Sequence, residues 1–382
     1  MAHRRNPVKM EQLRNWKLLE HFRQEVLPLL EARPQSATEL DERRTLFAED
    51  YFCAYLFAML NPAITSMRAL CHASHCRKMR QVCSATLSPA SFSASQHLFA
   101  PEVLEKVVRQ LSQQALGQER GGDPRLKNAL KALTAVDGTL LHAVPRMAWA
   151  SSSGPTWAVR LHLHFSVFDQ VPEGWTITPG KECERKVFKG AVSPGAMVVA
   201  DRQFSNHYAL LDQLRSRGVH FVMRLNDTAY LEPVGNPREL TPADHQAGVV
   251  WDQPMRLGNT GQGPVFRVVR VEAGGDVFLL VTTREDLSAE LIGLIYRQRW
   301  QIELFFKWIK TILNCRHWLA ESPSGASIQI YCVLIASLLL LLWAGRRPNL
   351  RTIESLRLYW SGWATQKELL QLLKRANPAK KS

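Results

Sequence analysis

The chain has 382 residues, 46% of them hydrophobic and 21% charged, and 48 Lys and Arg against 34 Asp and Glu give a net charge of +14. That length suits one large core plus one or two smaller units rather than a single compact domain, and the cationic excess argues for a polyanionic partner, nucleic acid ahead of an acidic membrane surface. Seven cysteines, at 53, 71, 76, 83, 183, 315 and 332, form no disulfide framework, and the start MAHRRNPVKM lacks the apolar core of a signal peptide, so a reduced cytoplasmic setting is expected.

Residues 1–120 read as a helical, basic, DNA-binding domain. Helical patterns run over 20–30, 49–60, 66–74 and 101–115, punctuated by Pro62, Pro89 and Pro101. Arg68 and His72 within the third, and His75, Arg77, Lys78 and Arg80 after it, are followed by a helix start at Ser88 and Pro89. Short basic helices of this kind suit phosphate contacts on a duplex, with Arg77, Lys78 and Arg80 as the leading candidates. Cys71, His72, His75 and Cys76 do not suit zinc, because adjacent Cys71 and His72 point apart and no second ligand pair follows.

From residue 121 to 226 the pattern turns to strands. Leu133 to Leu141 is an apolar run that carries one carboxylate, Asp137, followed by Gly138 and Thr139. Desolvating an unpaired charge there costs several kcal/mol by general estimate, roughly, so Asp137 needs a cation. Ala158 to Phe168 alternates as the next strand, with His162 and His164 on one face as structural residues or phosphate contacts, and Trp175 to Thr178 follows a turn at Pro172 to Gly174. Met197 to Ala200 is a further apolar strand, and it ends on Asp201. A helix over 206–217 and a strand over 220–225 complete a mixed sheet with helices on its faces. Asp169 and Asp227 compete with Asp137 as candidate ligands, but Asp169 follows its strand rather than sitting on it.

Residues 227–274, rich in glycine turns and short alternating runs, read as a β-rich insertion. The main sheet pattern resumes at Asp276 to Thr283 and opens the second part of the domain, 275–345. Asp286 or Ser288 then caps one long helix. On it Tyr296, Arg299, Glu303 and Lys310 project within an arc of about 60° at 100° per residue, beside an apolar stripe of Ile295, Ile302, Phe306, Ile309 and Leu313. The bland alternative is a solvated face with an ordinary Arg299–Glu303 pair. Ile330 to Ala344 is about fifteen apolar residues, short of the roughly twenty a bilayer needs, and is expected to be buried. Residues 346–382 form a C-terminal helical tail with Trp360, Trp363 and a basic end.

Asp137, Asp201 and Glu303 can converge at one sheet edge, and three carboxylates there require divalent cations. Hard oxygen ligands suit Mg²⁺, with Mn²⁺ as a substitute, and a pair of such ions suits in-line displacement at phosphorus. The spacing Y-x2-R-x3-E-x6-K of Tyr296, Arg299, Glu303 and Lys310, with DGT at 137–139 and ADRQF at 200–204, resembles the insertion-sequence-four family of bacterial DDE transposases. The resemblance covers about residues 60–345. It implies a ribonuclease H-like catalytic domain interrupted by the insertion, Asp137, Asp201 and Glu303 as metal ligands, and Tyr296, Arg299 and Lys310 on phosphates at the transposon end. It also implies a stacking aromatic, Trp251 in the insertion or Trp300 beside Arg299. The implied activity is cut-and-paste transposition of double-stranded DNA by a homodimer, with no membrane. A metal nuclease of the same fold and a catalytically inactive DNA-binding protein are the alternatives.

Overall fold

A computed structural model of the chain describes residues 16–61, 63–150, 157–259, 261–311, 315 and 317–376. Leu313 and the basic end from 377 onward lie outside the described residues. Helices α1 (Lys17–Glu31), α2 (Ala48–Leu60), α3 (Met67–Ala73), α4 (Arg77–Arg80), α5 (Pro89–Leu98) and α6 (Glu102–Ala115) come first. Then α7 (Pro124–Ala129), β1 (Thr134–His142), β2 (Ala158–Ser166), β3 (Val171–Pro179), α8 (Glu184–Ala191), β4 (Met197–Ala200), α9 (Arg202–Ser205), α10 (Tyr208–Ser216) and β5 (His220–Arg224) follow. The chain continues through β6 (Leu231–Pro233), α11 (Pro242–Gln246), β7 (Val249–Leu257), β8 (Val265–Ala273), β9 (Asp276–Thr282), α12 (Ala289–Gln298) and α13 (Trp300–Thr311). It closes with α14 (Pro323–Ala344), α15 (Leu350–Trp360) and α16 (Gln366–Ala376). Two compact units result: Met1–Leu116, Leu141–Val159 and Lys307–Ser382 form one, Gly117–Leu140 and Arg160–Phe306 the other.

The first unit is helical and is built around α14, which packs on α1, α2, α5 and α6. Ser322 caps this helix by accepting from Gly325 N at 3.0 Å, and Gly345 ends it in the left-handed conformation at φ +66. At 22 residues the helix is longer than the apolar run alone, and it is long and apolar enough to cross a membrane. The length argument against a span therefore fails. Burial replaces it, since 89% of the most apolar window is covered by protein. Every residue of α2 is buried as well, including Glu49 and Asp50. Those carboxylates are met by Arg23 of α1, which is 1% exposed, pairs with Glu49 and reaches Asp50 Oδ1 at 3.4 Å. Asp50 is further satisfied by the Ser84 hydroxyl at 2.7 Å.

The second unit is mixed α/β, with flanking helices on a nine-stranded sheet in the order β3-β2-β1-β4-β5-β9-β8-β7-β6. β1, β4 and β5 run parallel, while β9 joins β5 antiparallel and β8, β7 and β6 continue antiparallel from it. The strands of residues 227–274 thus hydrogen-bond onto β9 and lengthen the same sheet. Val198 and Ala200 of β4 and Phe221 and Met223 of β5 pack with Leu210, Leu211 and Leu214 of α10 into one apolar layer. Helix α12 lies across β4, β5 and β7 to β9.

Two local expectations are corrected. β3 begins at Val171, so Pro172 to Gly174 is strand; the turn lies just before it, with Gln170 at φ +63. The long helix is two helices. Ser288, not Asp286, caps α12 by accepting from Leu291 N, and Asp286 instead pairs with Arg284. At Arg299 the backbone N–H bonds to Tyr296 O, three residues back, at 3.0 Å, so the i to i−4 ladder is interrupted before α13 begins.

Candidate active site

The sheet register builds the site. β1 and β4 are parallel with Val136 opposite Ala200, so the next residues, Asp137 within β1 and Asp201 just past the end of β4, sit side by side. β4 and β5 are parallel with Ala200 opposite Met223, which puts Arg224 next in the same row. Strand β4 stops at Ala200 and α9 starts at Arg202, leaving Asp201 in extended conformation at the junction. The carboxyl ends of adjacent parallel strands, where chain reversal frees the backbone, are the usual ligand face of α/β sheets.

Helix α12 adds a second wall. Tyr296 donates its hydroxyl to Asp201 Oδ1 at 3.2 Å. Arg299, at the break between helices, pairs with Glu303 Oε1 at 2.6 Å, and its guanidinium lies 5.7 Å from the Tyr296 ring. Asp137 Oδ1 accepts from the Gly138 N–H at 2.8 Å. Burial pushes Asp137 up to about 6, against the Gly138 hydrogen bond and Arg299, which favour ionisation, and with Asp201 and Glu303, which oppose it. Burial works against charge on Arg299 too, but Tyr296, Glu303 and Asp201 outweigh it and hold the guanidinium above its usual range. Burial chiefly raises the Tyr296 phenol.

Asp137, Asp201, Tyr296, Arg299 and Glu303 therefore act on one another within the sheet unit. Among the described residues, however, no three His, Cys, Asp or Glu are drawn together closely enough to cage one ion as the side chains stand. The donor set still fits a hard divalent cation, because the charge on half-buried Asp137 is opposed by burial and by Asp201 and Glu303, and Arg299 alone does not offset them. Glu303 is turned toward Arg299 as the side chains stand.

Lys310 stands on the last turn of α13. Arg77, Lys78 and Arg80 are all exposed on α4 in the helical unit. Trp251 is half-buried on β7 and packs against the apolar layer, whereas Trp300 is 56% exposed. Trp300 lines a cleft of about 880 Å³ together with Tyr296, Arg297, Arg299, Arg125 and Phe278. Asp169 sits in the turn after β2, accepting from Ser166 Oγ at 3.1 Å, and Asp227 is held by Arg224 at 3.0 Å. His162 bonds Thr178 Oγ1 at 2.9 Å; burial first, then Arg160, holds it down to about 4, and burial does the same to His164.

Sequence reading missed Arg224. Its guanidinium lies 4.8 Å from the Phe278 ring, and that ring is 5.7 Å from Tyr296. Its signal was a lone cation ending the strand HFVMR, but only the parallel register makes it a neighbour of Asp201.

Comparison with known proteins gives one family and several relatives. Residues 128–339 match the family described as Transposase DDE domain. The transposase-named protein y4zB of Sinorhizobium fredii is 27% identical over 59% of this chain and 64% of its own. A Geobacillus stearothermophilus protein, named as a transposase of insertion sequence element IS5377, is 27% identical over 55% of this chain and 56% of its own. A Synechocystis protein, named as a transposase of insertion sequence element IS4SA, is 23% identical over 78% of this chain and 83% of its own. The chain thus spans less than two thirds of the first two relatives.

Proposed function

Since this chain belongs to the transposase DDE domain family, we propose that it is a DNA transposase that cuts and rejoins strands at the ends of an insertion sequence, with Asp137, Asp201 and Glu303 as its catalytic carboxylates. The observation that carries the reading is the adjacency of Asp137, within β1, and Asp201, just past the end of the parallel strand β4, faced by the Tyr296–Asp201 and Arg299–Glu303 contacts. A half-buried acidic cluster beside cations has no use in plain DNA binding, where negative charge repels phosphate.

In this reading the sheet from β3 to β5 is the ribonuclease H-like core, residues 227–274 are the insertion, and the tetrad is the family signature. Asp137, Asp201 and Glu303 would hold Mg²⁺ or Mn²⁺, which when bound supplies an activated attacking oxygen and stabilises the leaving oxygen at phosphorus. The protein's own part is orientation and charge. Arg299 and Arg224 present guanidinium forks that match phosphate oxygens, Lys310 adds a point charge, and Tyr296 adds a hydroxyl donor. Trp300, exposed beside Arg299, is the better stacking surface of the two tryptophans for an unpaired base, because Trp251 is committed to packing. Arg77, Lys78 and Arg80, exposed on α4, supply further phosphate contacts. Two protomers on two element ends would act in the cytoplasm.

The test is a labelled duplex carrying the element's own end, incubated with Mg²⁺ or Mn²⁺. Wild type is expected to nick at the boundary, while Asp137→Asn and Glu303→Gln lose at least about a thousandfold in rate, the scale of removing one group that stabilises transition-state charge, and still retard the DNA in a gel. Cutting by either variant at the wild-type rate would falsify the assignment of these carboxylates. A duplex that is bound but never cut moves the chain to the inactive DNA-binding class.

A further inference from the structure

Gly138 follows Asp137 and lies against Glu184, the first residue of α8. A Cβ built on Gly138 would stand 2.6 Å from Glu184 Oε1 and 2.9 Å from its Cδ. A surface glutamate would swing aside. This one is 8% exposed and is paired with Arg160 of β2. Arg160 is half-buried, and its Nη2 donates to Gly180 O at 3.0 Å, which holds the guanidinium in place. Arg160 also lies within electrostatic reach of Asp137. Two carboxylates therefore compete for one guanidinium, and Glu184 has it.

We propose that Glu184 is a positioning residue that occupies Arg160 and so keeps Asp137 open to a divalent cation, with Gly138 as the clearance that lets the Glu184 carboxylate lie there. The inference rests on the reading of Asp137 as a metal ligand. If Glu184 loses its charge, Arg160 is left with Asp137 as the other carboxylate that acts on it, and it turns there because a partly desolvated guanidinium favours an anionic partner. An Asp clamped by Arg is a poor cation ligand. Gly138→Ala reaches the same end by another route, pushing Glu184 off Arg160.

The test is Mn²⁺ binding to the full-length protein, read from the electron paramagnetic resonance signal of free Mn²⁺, alongside nicking and thermal melting. Glu184→Gln and Gly138→Ala are each expected to weaken Mn²⁺ binding about tenfold, and to raise the metal concentration for half-maximal nicking in proportion, while metal-free binding to the element end stays at the wild-type level. The double variant Arg160→Met with Glu184→Gln removes the competitor as well and is expected to recover affinity to within about threefold of wild type. A merely structural pair predicts the reverse, with the double variant no better than Glu184→Gln. Wild-type Mn²⁺ affinity in Glu184→Gln, or no recovery in the double variant, overturns the proposal while wild-type nicking leaves the transposase reading standing. A wild type that neither binds Mn²⁺ nor nicks sinks both.

Discussion

Asp137 couples the site to folding. Its carboxyl ionises at about 6 in the folded chain instead of the ordinary 3.8, because burial penalises the charge. For an acid whose folded value is raised, stability is greatest below the unfolded value, falls as pH rises from about 4 to about 6, and stays low above that. The shift of some two units, at about 1.4 kcal/mol each and discounted for partial exposure, corresponds to about 1–2 kcal/mol. Asp137→Asn in chelator is therefore expected to be more stable than wild type by about that amount at pH 7.5 and no more stable at pH 4, measured by urea unfolding. Adding Mg²⁺ should reverse the order at pH 7.5 by stabilising only the wild type. If the variant gains nothing at pH 7.5, burial does not penalise the Asp137 charge. The Asp on a buried strand was legible in the sequence, since an apolar run rarely carries one unpaired. Arg224, Arg160 and Glu184 were not, because each acquires its meaning from a neighbour on another strand or helix.

At the scale of elements, periodicity located most helices and strands but not how they meet. The polar stripe of Tyr296, Arg299 and Glu303 was plain at 100° per residue, yet it straddles a break at Arg299 that no local pattern announces. Capping was ambiguous for a similar reason, since Asp286 and Ser288 are both good caps until Arg284 claims the aspartate. In the helical unit, an amphipathic α1 was expected, but not that Arg23 would be its most buried polar group, because that depends on Glu49 and Asp50 arriving on α2. Arg23→Met strands two buried carboxylates, one of them still held by Ser84. It is expected to lower unfolding free energy by about 3–5 kcal/mol. The triple change Arg23→Met, Glu49→Gln, Asp50→Asn should recover part of that loss in the same denaturation experiment.

For the whole molecule, the net charge of +14 was the earliest clue, and it says more about partner than about fold. The affinity for an element-end duplex should fall linearly in log–log form with salt, and Arg77→Ala with Lys78→Ala should reduce the slope by about 2 without changing which duplex is preferred. An unchanged slope, read by fluorescence anisotropy at four salt concentrations, removes α4 from the interface. The division into units was the least legible property. Composition suggested segments that follow one another along the chain, whereas the helical unit is assembled from three separated stretches.

That assembly sets a schedule for synthesis. Helix α2, mostly apolar and buried on every side, leaves the ribosome long before α14, which it packs against. At about 5–20 residues per second the wait is roughly 13 to 50 s. Through that interval the nascent chain carries a sticky helix without its partner, and chaperone demand should be concentrated there. A message that is cut short before α14 would yield a chain whose sheet unit has been translated but whose helical unit has no centre, so only full-length product escapes quality control.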